Sequence, residues 1–284
     1  CLKSRRKGRC LMHVTLTPSH GEPYAAYAYT GGKPFDADKP TLVFIHGVLN
    51  DHSVWILQSR YFANHGWNVL ALDLPGHGKS GGKAPASVQE AADSVIGLLD
   101  AAGISKAILM GHSFGSLIAL HAAAEHPQRV SQLGMVGTAY PMRVSPALLD
   151  SSLNDPHKAI QMVNVFSHST LAPPPSALGP GTWLLGGSKA LMKRVLASNP
   201  HENIFNIGFK ACDQYDQGEV AMAKVECPTL FLLGKKDQMT SPKAAQSLIK
   251  LARNGHVAMV NAGHQLMVEA PEETLNAMVA FCQN

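Results

Sequence analysis

The segment that most constrains this chain is Gly111-His112-Ser113-Phe114-Gly115, which lies between a short apolar run and a longer helix-forming run. The apolar run covers residues 107–110 and the helix-forming run covers 116–124. A serine at such a junction must turn the chain sharply from strand to helix, and glycines two residues before and after it leave room for that turn. The turn places the hydroxyl at the N-terminal end of a helix, where negative charge is favoured. The pattern predicts a nucleophilic serine.

A serine hydroxyl is a weak nucleophile, so it needs a general base, and the base needs an orienting acid. After a turn of this kind the expected chain order is serine, then acid, then histidine. Asp237 follows the apolar run 229–233, and His264 follows the strand-like run 256–260. Both lie just after predicted strands, where open α/β sheets place their ligands. We therefore predict a catalytic triad of Ser113, Asp237 and His264, with His112 packed behind the serine.

Acyl transfer passes through an oxyanion, which is commonly stabilised by two backbone N–H groups. One donor is expected from Phe114, the residue after the predicted nucleophile. The other is expected from Val48, in the loop after the apolar run 41–45, because Gly47 allows a tight turn there. Leu49 N–H is the second choice. These residues predict an oxyanion hole formed by Val48 and Phe114.

The same motifs resemble those of the serine α/β-hydrolase superfamily, whose members are esterase-like and carry a lid. The matching pieces are His46-Gly47, Asp73 to Ser80, Gly111 to Gly115, Gly234 to Asp237, and Gly263-His264. The resemblance implies an α/β fold with a mostly parallel sheet flanked by helices, and a carboxylesterase-like serine hydrolase that works without a cofactor. It leaves open a perhydrolase, an acyltransferase, a C–C bond hydrolase or a non-catalytic ligand receptor. A serine at position 113 excludes the relatives that attack with an aspartate.

Composition along the chain predicts three parts. Residues 1–12 form a basic leader that we expect to be disordered, and residues 13–138 and 224–284 form the α/β core. Residues 139–223 form a helical segment between them, which the resemblance implies to be the lid. Apolar strand-like runs alternate with amphipathic helical runs in the core, which predicts a sheet covered on both faces. In the lid, helical runs at 146–153, 156–166, 188–197 and 202–211 surround residues 171–181, which hold four prolines and two glycines.

The lid and the loops near the triad are rich in apolar side chains, which we expect to line a pocket for a small, largely apolar acyl group. The candidates are Leu49, Met142, Met162, Phe166, Met239 and Met267.

The net charge of +4 is set by the leader, because Lys3, Arg5, Arg6, Lys7 and Arg9 carry five positive charges. We therefore expect a small-molecule acyl substrate and no nucleic-acid partner. No apolar run approaches the ~20 residues of a membrane span. The five scattered cysteines predict neither disulfides nor a zinc site, and so favour the cytoplasm. We expect no metal, and a monomer or homodimer.

Overall fold

Eight strands form one sheet in the computed structural model, which describes residues 11–17, 21–36, 38–169 and 183–283. The order across the sheet is β1-β2-β4-β3-β5-β6-β7-β8. Only β1 and β2 run antiparallel to their neighbours; the pairs from β4 to β8 are all parallel. The strands are β1 Leu11–Leu16, β2 Tyr24–Tyr29, β3 Thr41–Ile45, β4 Asn68–Leu72, β5 Ala107–His112, β6 Val130–Val136, β7 Thr229–Gly234 and β8 Gly255–Val260.

The central strands are apolar on both faces because helices cover both. In β3, Val43 and Ile45 pack into one core cluster, and Leu42 and Phe44 pack into another on the opposite face. All five residues of β3 are buried. Burial on both faces explains why these strands read as continuous apolar runs instead of alternating with polar residues. The predicted α/β fold, with a mostly parallel sheet flanked by helices, is confirmed.

Eleven α-helices are found within the described ranges. They are α1 Ile56–Asn64, α2 Val88–Ala101, α3 Phe114–Glu125, α4 Pro146–Asn154, α5 Pro156–Ser167, α6 Leu184–Ser198, α7 Ile204–Gln214, α8 Gly218–Lys224, α9 Gln246–Leu251, α10 Leu266–Glu269 and α11 Pro271–Cys282. Helices α2, α3, α8 and α9 contribute to the first cluster, whereas α1, α10 and α11 contribute to the second. None of these helices combines the length and the apolar character needed to cross a membrane.

Local capping sets the ends of α2. The Ser87 side chain accepts a hydrogen bond from Glu90 N–H at 3.1 Å, and the Glu90 carboxylate accepts one from Ala86 N–H at 2.8 Å. The first bond satisfies a backbone donor that the first helical turn leaves unpaired, and the second binds the residue that precedes the cap. The helix ends before Gly103, which has a φ of +69° that glycine adopts without steric cost.

Two predicted boundaries shift. Strand β1 begins at Leu11, so two residues assigned to the leader belong to the sheet; Met12 also packs against the first core cluster. The rest of the leader lies outside the described residues. Helices α4 to α8 all lie between β6 and β7, and α8 crosses the boundary predicted at residue 223 because its last residue is Lys224. We call residues 139–223 the inserted segment.

Candidate active site

Ser113 occupies a strained turn between β5 and α3. Its φ of 54° lies in the left-handed region that residues with a Cβ avoid. Backbone bonds hold the turn, since Ser113 N–H donates to Val136 at 2.9 Å and Ser116 N–H donates to the Ser113 carbonyl at 2.8 Å. A Cβ at Gly111 would collide with the Gly115 carbonyl, so this approach of strand and helix requires glycine. The turn thus has the geometry expected around the predicted nucleophile.

Asp237 and His264 form a buried pair. Asp237 Oδ2 lies 2.8 Å from His264 Nδ1, and their side chains are 0% and 6% exposed. Asp237 Oδ1 accepts bonds from Met239 N–H and Thr240 N–H, each at 2.8 Å. A carboxylate on Nδ1 fixes the imidazole tautomer and leaves Nε2 free for chemistry, which is the arrangement a general base requires.

The Thr240 side chain contacts both members of the pair. Its hydroxyl oxygen lies 2.8 Å from Asp237 Oδ2, 3.0 Å from His264 Nδ1 and 2.9 Å from the Gly137 carbonyl oxygen. It therefore joins the loops that follow β6 and β7. Sequence reasoning missed Thr240, although an aspartate followed three residues later by threonine is a recognisable turn pattern.

The charges of this pair follow from its surroundings. Burial opposes ionisation of the Asp237 carboxyl, but attraction to His264 and the hydrogen bonds from His264 and Thr240 outweigh it. The pKa of Asp237 therefore lies below its usual value. Neighbouring His112 behaves differently, because burial and the proximity of His264 lower its pKa to about 3. Its ring lies 4.6 Å from the ring of His264, and its Nε2 lies 2.8 Å from the His264 carbonyl oxygen. His112 is thus a neutral support for His264.

The loop after β3 presents a second set of backbone donors. Asn50 N–H donates to the Gly47 carbonyl at 3.3 Å, which closes a turn in which Leu49 has a φ of 53°. No acceptor among the described residues bonds the Val48 N–H. Phe114 N–H, at the first position of α3, has no acceptor within that helix. The Leu49 N–H likewise has no acceptor among the described residues, so the loop leaves both of its candidate donors unbonded. The Leu49 side chain, predicted for the acyl pocket, is instead fully buried in a core cluster with residues of the inserted segment.

One cavity brings the predicted residues together. Ser113, His264 and Val48 line it from the sheet side, and the inserted segment contributes Val163, Ser167, Met192 and Phe209. The other described residues that line it are Gly47, Asn50, His112, Met239 and Gln265. The lining therefore combines apolar side chains with hydrogen-bonding groups.

Most side chains predicted for the acyl pocket lie elsewhere. Met239 lines the cavity. Met142 is buried in the first core cluster and Met267 in the second, under the sheet. Met162 packs against the core of the inserted segment, and Phe166 is 46% exposed. The sequence shows that these residues are apolar, but the direction each side chain takes depends on how the helices pack.

The end of α5 is bonded to the His264 loop. The Ser167 carbonyl accepts bonds from His264 N–H at 2.8 Å and Gln265 N–H at 3.2 Å. The buried Glu269 carboxylate accepts bonds from Ser169 N–H at 2.8 Å, Ser169 Oγ at 2.6 Å and Gly263 N–H at 3.2 Å. Two backbone bonds and one buried carboxylate thus fix the inserted segment to the loop that carries His264.

A second polar group lies outside the cavity, at Asp51, His52 and Asp73, whose possible ligand atoms lie within 4.8 Å of one another. Protein donors already bind both carboxylates. Asp51 accepts a bond from Arg194 of α6 at 2.7 Å, and Asp73 accepts bonds from His52 N–H and Lys79 N–H at 2.7 and 2.8 Å. This group therefore connects the core loops with the inserted segment.

Comparison with known proteins agrees with the fold. Residues 40–178 match the family model of the alpha/beta hydrolase fold. The chain is similar to (E)-2-((N-methylformamido)methylene)succinate hydrolase of Acinetobacter baylyi, with 27% identity over 256 residues that make up 85% of this chain and 90% of the relative. It is also similar to the dihydrolipoyllysine-residue acetyltransferase component of the acetoin cleaving system of Pseudomonas putida, with 28% identity over 257 residues. That match covers 84% of this chain and 62% of the longer relative.

Among solved structures, an esterase from Exiguobacterium antarcticum superposes with a TM-score of 0.79 at 18% identity, and the match covers 96% of this chain and all of the esterase. At that identity the likeness shows the fold. The strand order, the turn at Ser113 and the family match lead to one assignment. The chain belongs to the α/β-hydrolase superfamily.

Proposed function

We propose that the protein is a serine hydrolase of the carboxylesterase type, which cleaves an ester or related acyl bond of a small molecule through an acyl-enzyme intermediate. The observation that carries the proposal is the buried Asp237–His264 pair, 2.8 Å apart, beside the same cavity as Ser113 in its strained turn. The hydrolase from Acinetobacter baylyi, similar over nine-tenths of its length, supports the reaction class.

The chemistry proceeds in two displacements. The Ser113 oxygen attacks the substrate carbonyl carbon while His264 Nε2 takes the hydroxyl proton, and Asp237 stabilises the imidazolium that forms. The N–H groups of Val48 and Phe114 stabilise the oxyanion. Collapse of the intermediate expels the leaving group, which receives the proton from His264. Water then attacks the acyl-enzyme with His264 as base, and Ser113 regains its proton as the acid departs.

The inserted segment acts as the lid in this proposal. Helices α5, α6 and α7 each contribute to the wall of the cavity, through Val163, Met192 and Phe209. A lid in this position excludes water and selects the acyl group. The thiols of Cys212, Cys227 and Cys282 are free, which supports a reducing, cytoplasmic location.

Covalent labelling tests the nucleophile. We expect a fluorophosphonate probe to label the wild-type protein on Ser113, and the protein to hydrolyse p-nitrophenyl acyl esters. Loss of a triad nucleophile lowers kcat by ~10⁶. We therefore expect the esterase activity of Ser113→Ala to fall by at least about a thousandfold, and the probe to leave this variant unlabelled. A protein that is neither labelled nor active would refute the proposal and favour the ligand-receptor alternative.

Three Asp→Asn substitutions test which carboxylate is the acid of the triad. Asp237→Asn keeps the size of the side chain and should lower kcat by ~10⁴, because the amide cannot stabilise the imidazolium. Asp150→Asn and Asp155→Asn, at the exposed side of α4 and at its C-terminal end, should remain close to wild type. An active Asp237→Asn together with an inactive Asp150 or Asp155 variant would refute the triad.

A further inference from the structure

We propose that Ser167, together with the side-chain amides of Asn50 and Gln265, forms a polar subsite for an uncharged oxygen, such as an ether, hydroxyl or carbonyl oxygen, in the acyl part of the substrate. This proposal rests on the serine-hydrolase function above and names its substrate class. It also modifies the largely apolar substrate expected from the sequence.

The Ser167 hydroxyl is the first observation. Ser167 is fully buried at the last position of α5, yet its Oγ has no hydrogen-bond partner among the described residues. Serines in the neighbouring helices behave differently, since Ser152 Oγ donates to the Leu149 carbonyl at 2.8 Å and Ser198 Oγ donates to the Val195 carbonyl at 2.7 Å. A buried hydroxyl without a partner is unfavourable, so a partner other than the described residues is expected, and a substrate oxygen in the cavity would supply one.

The position of the residue is the second observation. Ser167 lines the cavity that also contains Ser113 and His264. Its carbonyl accepts bonds from the backbone of both His264 and Gln265, so its distance from the reaction centre is fixed by the protein backbone. A group in contact with Ser167 is therefore part of the molecule that Ser113 would attack.

The rest of the polar wall decides which chemical groups fit. Asn50 and Gln265 line the cavity at 6% and 7% exposure, and their side-chain amides have no hydrogen bond to any other described residue. Apart from His264, the described lining holds no ionisable group except the neutral His112. A substrate carboxylate or ammonium would be desolvated there without a counter-charge. Hydroxyl and amide donors instead match an uncharged oxygen.

A pair of esters that differ in one atom tests the subsite. p-Nitrophenyl methoxyacetate and p-nitrophenyl butyrate have the same length, and an ether oxygen in the first replaces a methylene in the second. The methoxyacetate ester is intrinsically more reactive, so the informative quantity is the change in the ratio of their kcat/KM values between variants. We expect Ser167→Ala to lower the ratio of methoxyacetate to butyrate by about 5-fold, the effect of losing one hydrogen bond.

A second variant and a control separate the subsite from general damage. Gln265→Met replaces the amide with an apolar side chain of similar length. It should also lower the ratio of the kcat/KM values for methoxyacetate and butyrate. Ser198→Ala removes a helix hydroxyl that lies away from the cavity and should leave the ratio at the wild-type value. Melting temperatures of all variants are compared with that of the wild type.

The outcomes distinguish the two proposals. If the wild type hydrolyses neither ester and is not labelled, the serine-hydrolase function fails, and this proposal fails with it. If the wild type is active but Ser167→Ala and Gln265→Met keep its ratio, or lower both rates equally, the polar subsite is refuted and the hydrolase function stands.

Discussion

Thr240→Val tests how tightly the catalytic pair depends on one hydroxyl. Valine has nearly the same shape, but it cannot bond the Gly137 carbonyl at 2.9 Å, Asp237 Oδ2 at 2.8 Å or His264 Nδ1 at 3.0 Å. Thr240 is only 4% exposed, so water cannot replace the hydroxyl. Leaving a buried polar group unpaired costs about 1–3 kcal/mol of unfolding free energy. For a protein of this size each kcal/mol lowers Tm by about 2–4 °C, so we expect a decrease of about 2–12 °C.

The effect on turnover should be smaller than that of losing the acid. Asp237 keeps the bonds from Met239 N–H and Thr240 N–H, both at 2.8 Å, and its bond to His264. We therefore expect kcat to fall about 10-fold, or about 1.4 kcal/mol in activation free energy, against ~10⁴ for Asp237→Asn. Calorimetry and ester hydrolysis measure the two effects, and Thr240→Ser should restore most of both. A Thr240→Val protein with wild-type Tm and kcat would refute this reasoning.

The remaining predictions concern packing and pH. In Gly115→Ala the new methyl group would collide with the Ile45 carbonyl and approach the His46 carbonyl to 2.7 Å, so urea unfolding should show a loss of about 3 kcal/mol. Gly97→Ala in α2 meets nothing within 4 Å and should gain about 1 kcal/mol; equal stabilities of the two variants would contradict the packing assignment. Burial lowers the pKa of His77 and His112 to about 3, whereas unfolded histidine titrates near 6.5. Below pH ~6.5 the unfolded chain therefore binds more protons, and stability should fall as pH decreases towards 4, by at most ~2.7 kcal/mol per pH unit for the two histidines. A Tm that stays constant between pH 6 and pH 4 would contradict this prediction.

The fold was predictable because its signals are local. The apolar runs at β3, β5 and β7 are buried on both faces, so each is readable without knowledge of its neighbours. The turn at Ser113 is specified by two glycines, one of which cannot carry a Cβ beside the carbonyl of the other. Loops after parallel strands meet at one edge of the sheet, which is why Asp237 and His264 could be paired by their order in the chain.

The lining of the cavity was not predictable for the opposite reason. Ser167 lies close to His264 only because α5 ends beside that loop, almost a hundred residues away in sequence. Apolar composition likewise cannot distinguish Met239, which lines the cavity, from Met142 and Met267, which fill core clusters on opposite sheet faces. Long-range packing decides these directions, and single-chain periodicity carries no information about it.

The bonds between the end of α5 and the His264 loop have a consequence for protein engineering. A chimera that takes helices α4 to α7 from another hydrolase would change the substrate and also replace the helix end that places the Ser167 backbone carbonyl 2.8 Å from His264 N–H. It would further separate Glu269 from Ser169, whose backbone and hydroxyl it binds at 2.8 and 2.6 Å. Grafts that retain residues 167–169 of this chain should therefore keep turnover, whereas grafts that replace them should fold and yet lose rate on every ester. In this protein, helices from another hydrolase can therefore transfer substrate specificity only if residues 167–169, which position the loop of His264, are retained.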